Sequence, residues 1–319
     1  DITLMDALDV TFDCYIKKTQ NLLTPVSLPP SAGFRSYTEN LGETKNKGVE
    51  FKVNYRIVRD AERDLYFSVF TSGMHNKNRI TKISDALSLM NKDRDADKTG
   101  GGGGNPNLEE NSAITKPSVR YAEGQSMDAI WAVRSLGIDP ATGDEIFLTK
   151  DGETTTEWKA EDQVVCGDSM PDCSGTFGIN MDYRGIFLNM SFYYQFGGQT
   201  YNQTLVDRVE NVDVGLNVDK RIYNAVWKKP GDRVDFSYNP YRLTKPSSRF
   251  VQDLNELRLS SLNVGYDFRH CAFLKKSRLQ QLKASFYMDD VFRASTVKTE
   301  RGLTYPFART FSFSLQATF

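Results

Sequence analysis

The sequence predicts an all-β fold, namely a transmembrane antiparallel β-barrel wall of about eight strands joined by long outer loops, and three observations predict it. Apolar and polar residues alternate with period two over many segments. Several of these stripes last about ten residues, the length a tilted strand needs to cross a bilayer, against about 5–6 for an ordinary strand. The links between stripes alternate long and short, as in bacterial barrels.

The first stripe is Leu8, Val10, Phe12, Cys14 and Ile16, with Asp9, Thr11, Asp13, Tyr15 and Lys17 between. The second is Val49, Phe51, Val53, Tyr55 and Ile57, alternating with Glu50, Lys52, Asn54 and Arg56. A helix would scatter either set around its circumference, whereas a strand sorts it onto two faces. Leu65, Phe67 and Val69 follow, then Phe177, Ile179, Met181 and Tyr183, then Ile186, Leu188, Met190, Phe192, Tyr194 and Phe196. Leu262, Val264, Tyr266 and Phe268 form the sixth stripe, and Leu282, Ala284, Phe286 and Met288 the seventh. The eighth, Phe311, Phe313, Leu315, Ala317 and Phe319, runs to the final residue.

The long links are about 18–47, 80–172, 197–253 and 293–305, and they are expected outside the cell. The short links are then periplasmic turns, Asp1–Asp6 among them, and the C-terminus is periplasmic. With those directions Tyr55, Tyr183, Tyr266, Phe268 and Phe319 fall at periplasmic strand ends, and Tyr194, Phe196 and Phe311 at outer ends. Two such aromatic girdles are expected at lipid–water interfaces. The opposite faces carry Asp9, Thr11, Asp13, Glu50, Lys52, Asn54, Asn189, Ser191, Gln195, Lys283, Ser285, Asp289, Ser312, Ser314 and Gln316, a hydrated lumen wall.

Composition excludes several other classes. Lys plus Arg number 40 and Asp plus Glu 41. A nucleic-acid partner, which usually demands a clustered basic excess, is therefore not expected. Hydrophobic content of 39% suits a water-soluble chain, and equally a barrel in which only alternate residues face lipid. No run approaches the roughly 20 apolar residues of a spanning helix. Asp1–Asp6 lacks the basic start and apolar core of a signal peptide, so the chain reads either as cytoplasmic or as a piece of something longer. His75 and His270 are the only histidines, which argues against a zinc site and against a Ser-His-Asp set, and no cofactor or catalytic group is expected.

Remaining features read as structural. Asp93, Asp95 and Asp97 have calcium-loop spacing, but Lys98 and Gly104 stand where that loop needs Gly and Glu. Gly100–Gly104 lacks the ending of a phosphate-binding loop and reads as a linker, and Ile83, Ala86, Leu87 and Met90 have helical spacing. Glu109–Glu110 and Asp289–Asp290 are adjacent carboxylates, which an extended strand points to opposite faces. Cys166 and Cys173 flank a turn-like stretch and either form a disulfide or remain free. Trp131, Trp158, Tyr201, Trp227, Tyr238 and Tyr241, with Asn202, are the loop residues that would either hold a ligand or pack the loops against one another.

Several stretches resemble one family. They are Leu8-Asp9-Val10-Thr11-Phe12 through Lys17-Lys18-Thr19; Asn40-Leu41-Gly42-Glu43 with Asn46-Lys47-Gly48-Val49-Glu50; and Val119-Arg120-Tyr121-Ala122-Glu123-Gly124 with Gly137-Ile138-Asp139-Pro140-Ala141-Thr142-Gly143. Gly197-Gly198-Gln199-Thr200-Tyr201-Asn202 and Tyr305-Pro306 with Arg309-Thr310-Phe311 complete the set, in order along nearly the whole chain. The sequence resembles the SusC-like TonB-dependent outer-membrane transporters of Bacteroidetes. The resemblance implies a barrel of about 22 strands, plugged by an N-terminal domain and energised through TonB. It also implies a SusD-like surface lipoprotein that closes as a lid over glycans or peptides. The plug, the TonB-box and the earlier strands are expected outside this chain. The terminal aromatic Phe319 resembles the signal read by barrel-assembly machinery. Two other readings compete: a passive porin without energy coupling, and a soluble β-sandwich whose stripes would face a core instead of lipid.

Overall fold

The computed structural model describes residues 1–27, 36–40, 42–85, 87–88, 91, 114–212, 218–237, 243–276, 279–298 and 309–319. In chain order its strands are β1 (Ile2–Leu4), β2 (Leu8–Thr19), β3 (Leu23–Ser27), β4 (Ser36–Asn40), β5 (Gly42–Asp60), β6 (Leu65–Ile83), β7 (Ala129–Ile138) and β8 (Glu145–Leu148). They continue as β9 (Thr154–Thr155), β10 (Gln163–Asp168), β11 (Cys173–Tyr183), β12 (Ile186–Tyr201), β13 (Val251–Asp267), β14 (Gln281–Ser295) and β15 (Phe311–Thr318). No helix among the described residues is long and apolar enough to cross a membrane.

Nine of these strands form one open antiparallel sheet, ordered β1-β2-β5-β6-β11-β12-β13-β14-β15, each beside its predecessor in that order. The expected stripes fall into register across it. One row of directly paired residues reads Leu8, Tyr55, Val69, Ile179, Met190, Leu262, Met288 and Phe311. The next reads Val58, Phe67, Met181, Leu188, Val264, Phe286 and Phe313. On the other face one row reads Arg56, Ser68, Asn180, Asn189, Asn263, Tyr287 and Ser312. Because side chains alternate strictly, a single-residue slip anywhere would exchange the two faces.

The apolar face has no second layer upon it. Phe12 is 61% exposed and Phe313 74%. A β-sandwich would bury these positions between its sheets, so that reading fails.

Three details differ from expectation. Asp1–Asp6 is not simply a turn: Ile2–Leu4 pairs with Leu8–Val10 as a ninth strand, too short for its alternation to stand out. The bilayer sets a minimum strand length but no maximum. β5 and β6 accordingly run 19 residues each, taking in parts of the expected long links 18–47 and 80–172. A bulge between Arg56 and Val58 also places Val58 opposite Phe67, one position beyond the predicted stripe.

All short links lie at one end of the sheet. The tightest is Arg184–Gly185, both at positive φ (50° and 90°), as a two-residue turn matching strand twist requires. A Cβ on Gly185 would lie 2.4 Å from the Asp267 carbonyl oxygen. All long links lie at the other end. Two of them fold together into a cap built on the sheet β10-β7-β8-β9. The cap holds a buried apolar cluster of Leu205, Val206, Val209, Val226 and Phe250, with Tyr201, Ile222 and Phe236 packed against it. The segments about Gly100–Gly104, Asp93–Asp97 and Glu109–Glu110 lie outside the described residues, as do Ala86 and Met90 of the expected helix.

Candidate functional site

Two surfaces of this architecture can meet a solute: the polar face of the wall and the cap above it.

The polar face is self-paired. Arg56 donates to both carboxylate oxygens of Asp9, at 2.7 and 3.2 Å. Further along the same face Arg293 donates to Glu256 at 2.5 Å, and Arg258 lies 3.9 Å from the same carboxylate. Ser72 and Thr176 hydroxyls are 2.8 Å apart across β6 and β11. At the short-turn end Arg269 donates to Asp64 (2.9 Å) and Asp182 (2.6 Å), and the His270 ring lies 2.5 Å from Asp64. These contacts tie three successive turns together. The His270 ring, aided by Arg269, holds the Asp64 carboxyl below its usual range. Beside this cluster a hollow is lined by Tyr66, Asn180, Asp182, Phe187, Asn189 and Lys283.

The cap is fixed by one buried cation. Arg249 donates to Glu145 (Nε–Oε1 3.1 Å, Nη2–Oε2 2.9 Å) and to Glu210 (Nη1–Oε1 2.5 Å, Nη2–Oε2 3.2 Å). Burial alone would lower the Arg249 pKa, but the two carboxylates overcome it and hold the guanidinium charged. Glu210 also accepts from the Ser237 backbone N–H (2.9 Å) and the Thr244 hydroxyl (2.8 Å). The triad thus clamps β8 to the link between β12 and β13. Backbone bonds reinforce the clamp: Val133 N–H donates to the Pro246 carbonyl (3.2 Å), and Ser135 N–H to the Ser248 hydroxyl (3.0 Å). The cap is moored to the wall where Asp168 N–H donates to the Gln199 side chain at 3.0 Å.

The predicted loop residues sit largely within this packing. Trp131 is buried on β7 with the Arg120 guanidinium 5.3 Å from its ring centre. Trp158 donates its indole N–H to the Pro246 carbonyl (3.0 Å) and carries Lys245 against its ring. Trp227 donates to the Pro140 carbonyl (3.0 Å) and its ring covers Gly143, where a Cβ would meet it at 2.5 Å. The Tyr201 ring stands edge-on to Phe250 with centroids 5.7 Å apart, and its hydroxyl donates to the Thr115 carbonyl at 3.3 Å. Asn202 accepts from Leu205 N–H (3.4 Å) and donates to Gln252 (2.9 Å). Tyr238 and Tyr241 lie outside the described residues. The structure therefore brings Trp131, Trp158, Tyr201, Asn202 and Trp227 into one cap, where most of their polar atoms hold neighbouring loop backbone.

Cys166 and Cys173 are both free. They sit on different strands, β10 of the cap and β11 of the wall, and the Cys166 thiol donates to the Ala132 carbonyl at 3.4 Å. Burial pushes the Cys166 thiol pKa up. Sequence reasoning missed the Glu145–Glu210–Arg249 triad and the Arg269 cluster. Their members lie up to 206 residues apart, and local spacing carries no sign of such partners.

No family model matches the chain. Among curated proteins it is similar to TonB-dependent receptor P3 of Formosa agariphila, 26% identical over all of this chain and 33% of that protein. It is also similar to TonB-dependent receptor SusC of Bacteroides thetaiotaomicron, 22% identical over 81% of this chain and 24% of that protein. Among solved structures it superposes on the RagAB peptide importer in its closed-closed state with a TM-score of 0.72 and 19% identity, covering 98% of this chain and 34% of that one. The open-open state gives 0.71 over 98% and 33%. The chain spans about a third of the length of P3. With one sheet that carries an apolar face and a polar one, this chain is similar along its whole length to about a third of a TonB-dependent receptor of the SusC kind.

Proposed function

We propose that this chain supplies the C-terminal part of the barrel of an outer-membrane importer, whose remaining strands, plug and TonB-box lie outside these 319 residues. The observation that carries the reading is the register of apolar rows on an uncovered outer face, backed by polar rows on the inner one. Lipid is the solvent that rewards this arrangement, at about 1.5–3 kcal/mol for each large apolar side chain withdrawn from water.

The long-link end faces out of the cell and the C-terminus lies in the periplasm. In a tilted wall a row of paired residues also changes height. Six interstrand steps of ~4.8 Å at a tilt of about 35–45° climb about 17–20 Å, most of a belt about 25 Å tall. One row can therefore start at Tyr55 near the periplasmic girdle and finish at Phe311 near the outer one, which reconciles the two aromatic belts with the observed register.

The cargo is a glycan, an oligosaccharide or a peptide, held between the cap and a SusD-like surface lipoprotein and released inward when TonB acts on the plug. RagAB is a peptide importer by description, which supports the peptide option. In this scheme Trp131, Trp158, Tyr201, Asn202 and Trp227 shape the mouth by fixing the cap, and no step of covalent chemistry falls to this chain.

The test is fractionation of the native organism, followed by detergent extraction and affinity capture through this chain. The expected result is recovery from the outer membrane together with a surface lipoprotein, and uptake that stops when the proton gradient is collapsed. Recovery from the cytoplasm would refute the barrel. Uptake indifferent to the gradient would favour a passive pore instead.

A further inference from the structure

At one place the polar face of the wall carries more cation than it balances. A row of directly paired residues crosses β6, β11, β12, β13 and β14 there, reading Ser72, Thr176, Tyr193, Arg258 and Arg293. It holds hydroxyls at one side and two guanidinium groups at the other, with no acid among the five. Arg258 and Arg293 stand directly opposite each other on paired strands. Like charges so placed destabilise a sheet, and each guanidinium can take a carboxylate through two parallel hydrogen bonds.

The neighbouring acids leave that capacity open. Among the described residues Glu256 alone brings a carboxylate within 4 Å of either arginine. It accepts from Arg293 Nη2 at 2.5 Å, whereas Arg258 Nε lies 3.9 Å from it, beyond hydrogen-bond reach. Asp289, in the next inward row toward the short turns, pairs with Ser261 and accepts from the Tyr287 hydroxyl. The Nε atoms of both arginines are buried without a hydrogen-bond partner. The Arg258 guanidinium stands 5.3 Å from the Tyr193 ring centre, and the Tyr193 hydroxyl donates to Gln195 at 2.8 Å, which fixes the ring. The rest of each guanidinium opens onto the polar side, with 39% of the Arg258 side chain and 25% of the Arg293 side chain exposed.

We infer that Arg258 and Arg293 form a lumen subsite for a carboxylate of the imported solute, either the C-terminal carboxylate of a peptide or the uronate group of a glycan. The anion accepts from both guanidinium groups and relieves their repulsion. Its place suits a solute moving inward, because Arg258 lies in the half of β13 nearer the cap. The Thr176 and Ser72 hydroxyls, 2.8 Å apart, extend the row for polar groups farther along the same solute. The inference rests on the proposed importer, since it needs the polar face to line the path.

The experiment titrates the full-length importer in detergent, by calorimetry, with three probes: tetraalanine, tetraalanine amide, which lacks the terminal carboxylate, and tetragalacturonate. The expected result is binding of tetraalanine or of tetragalacturonate, and the one that binds names the source of the carboxylate. Arg258→Gln and Arg293→Gln should each weaken that binding about tenfold or more. Arg56→Gln, on the same face but paired to Asp9, should leave it unchanged. Binding of neither acidic probe overturns the subsite, as does equal binding by parent and both variants, or amide bound as tightly as tetraalanine. Labelling of the parent with phenylglyoxal, read by mass spectrometry, needs no variant. Arg258 should react in the free importer and be protected by the probe that binds. An Arg258 unreactive before any probe is added is already covered by another part of the protein, which also overturns the subsite. These outcomes leave the importer reading itself standing, because recovery from the outer membrane and gradient-dependent uptake test that separately.

Discussion

The wall and the cap are made by one chain under opposite rules. In the wall, Phe12, Phe311 and Phe313 are among the most exposed residues, while Ser68, Glu256 and Asp267 are buried. In the cap, Phe250 and Val206 have no exposure at all. The difference lies in the surrounding solvent. Where lipid bathes the outside, apolar residues point out and the backbone is satisfied by strand pairing. Where water bathes the outside, apolar residues must find one another, and the cap does so through Leu205, Val206, Val209, Val226 and Phe250. Charges differ in the same way. The cap commits Arg249, its side chain only 11% exposed, to two carboxylates, whereas Arg269 of the wall stays more than a third exposed.

This contrast can be broken from the cap side first. Arg249→Ala leaves the Glu145 and Glu210 carboxylates without their cation and should destabilise the cap by about 3–5 kcal/mol, read as faster hydrogen exchange in β7 and β8 with β11 and β12 unchanged. Equal loss in the wall would show that the two regions fold as one unit. Phe250→Ala should cost a similar ~3–5 kcal/mol in the same segments. In the wall, Met190→Arg, in the middle of an outward row, should cost about 2–4 kcal/mol of folding into bilayers. The neighbouring inward change Asn189→Arg should cost much less, and equal costs would mean that the two faces are not distinguished by lipid.

A smaller effect concerns acid. Arg221 donates twice to the Asp219 carboxylate and holds its pKa at about 2, below the ordinary 3.8. A depressed carboxylate stabilises the fold at pH above its unfolded value and loses that contribution as pH falls from about 4 through 2. The pair is partly solvated, so the loss should be ~1 kcal/mol or less. It should be visible as an acid-dependent opening of the cap that Asp219→Asn abolishes.

The wall was legible in the sequence because period-two alternation is local: Ile186 to Phe196 shows its two faces without any partner strand. The stripes, the long and short links and the lumen residues Asn189, Ser191 and Lys283 all follow from it. The bulge after Arg56 was not legible, because it depends on how β6 pairs with β5. The cap was legible only as a set of aromatics. Trp158 and Trp227 gave no sign of which carbonyls they would reach, Pro246 and Pro140, since those lie 88 and 87 residues away. Glu145 and Arg249 likewise look like ordinary surface charges until the fold sets them 2.9 Å apart.

The most direct test of the central claim is a spin-label scan along β12 in the reconstituted protein, from Ile186 to Phe196. Labels at Leu188, Met190 and Phe192 should relax with oxygen, which concentrates in lipid. Labels at Asn189, Ser191 and Tyr193 should relax with a water-soluble nickel complex, giving two curves of period two in opposite phase. Curves in phase, or a strand whose apolar positions meet neither reagent, would contradict a wall with lipid on one side and water on the other.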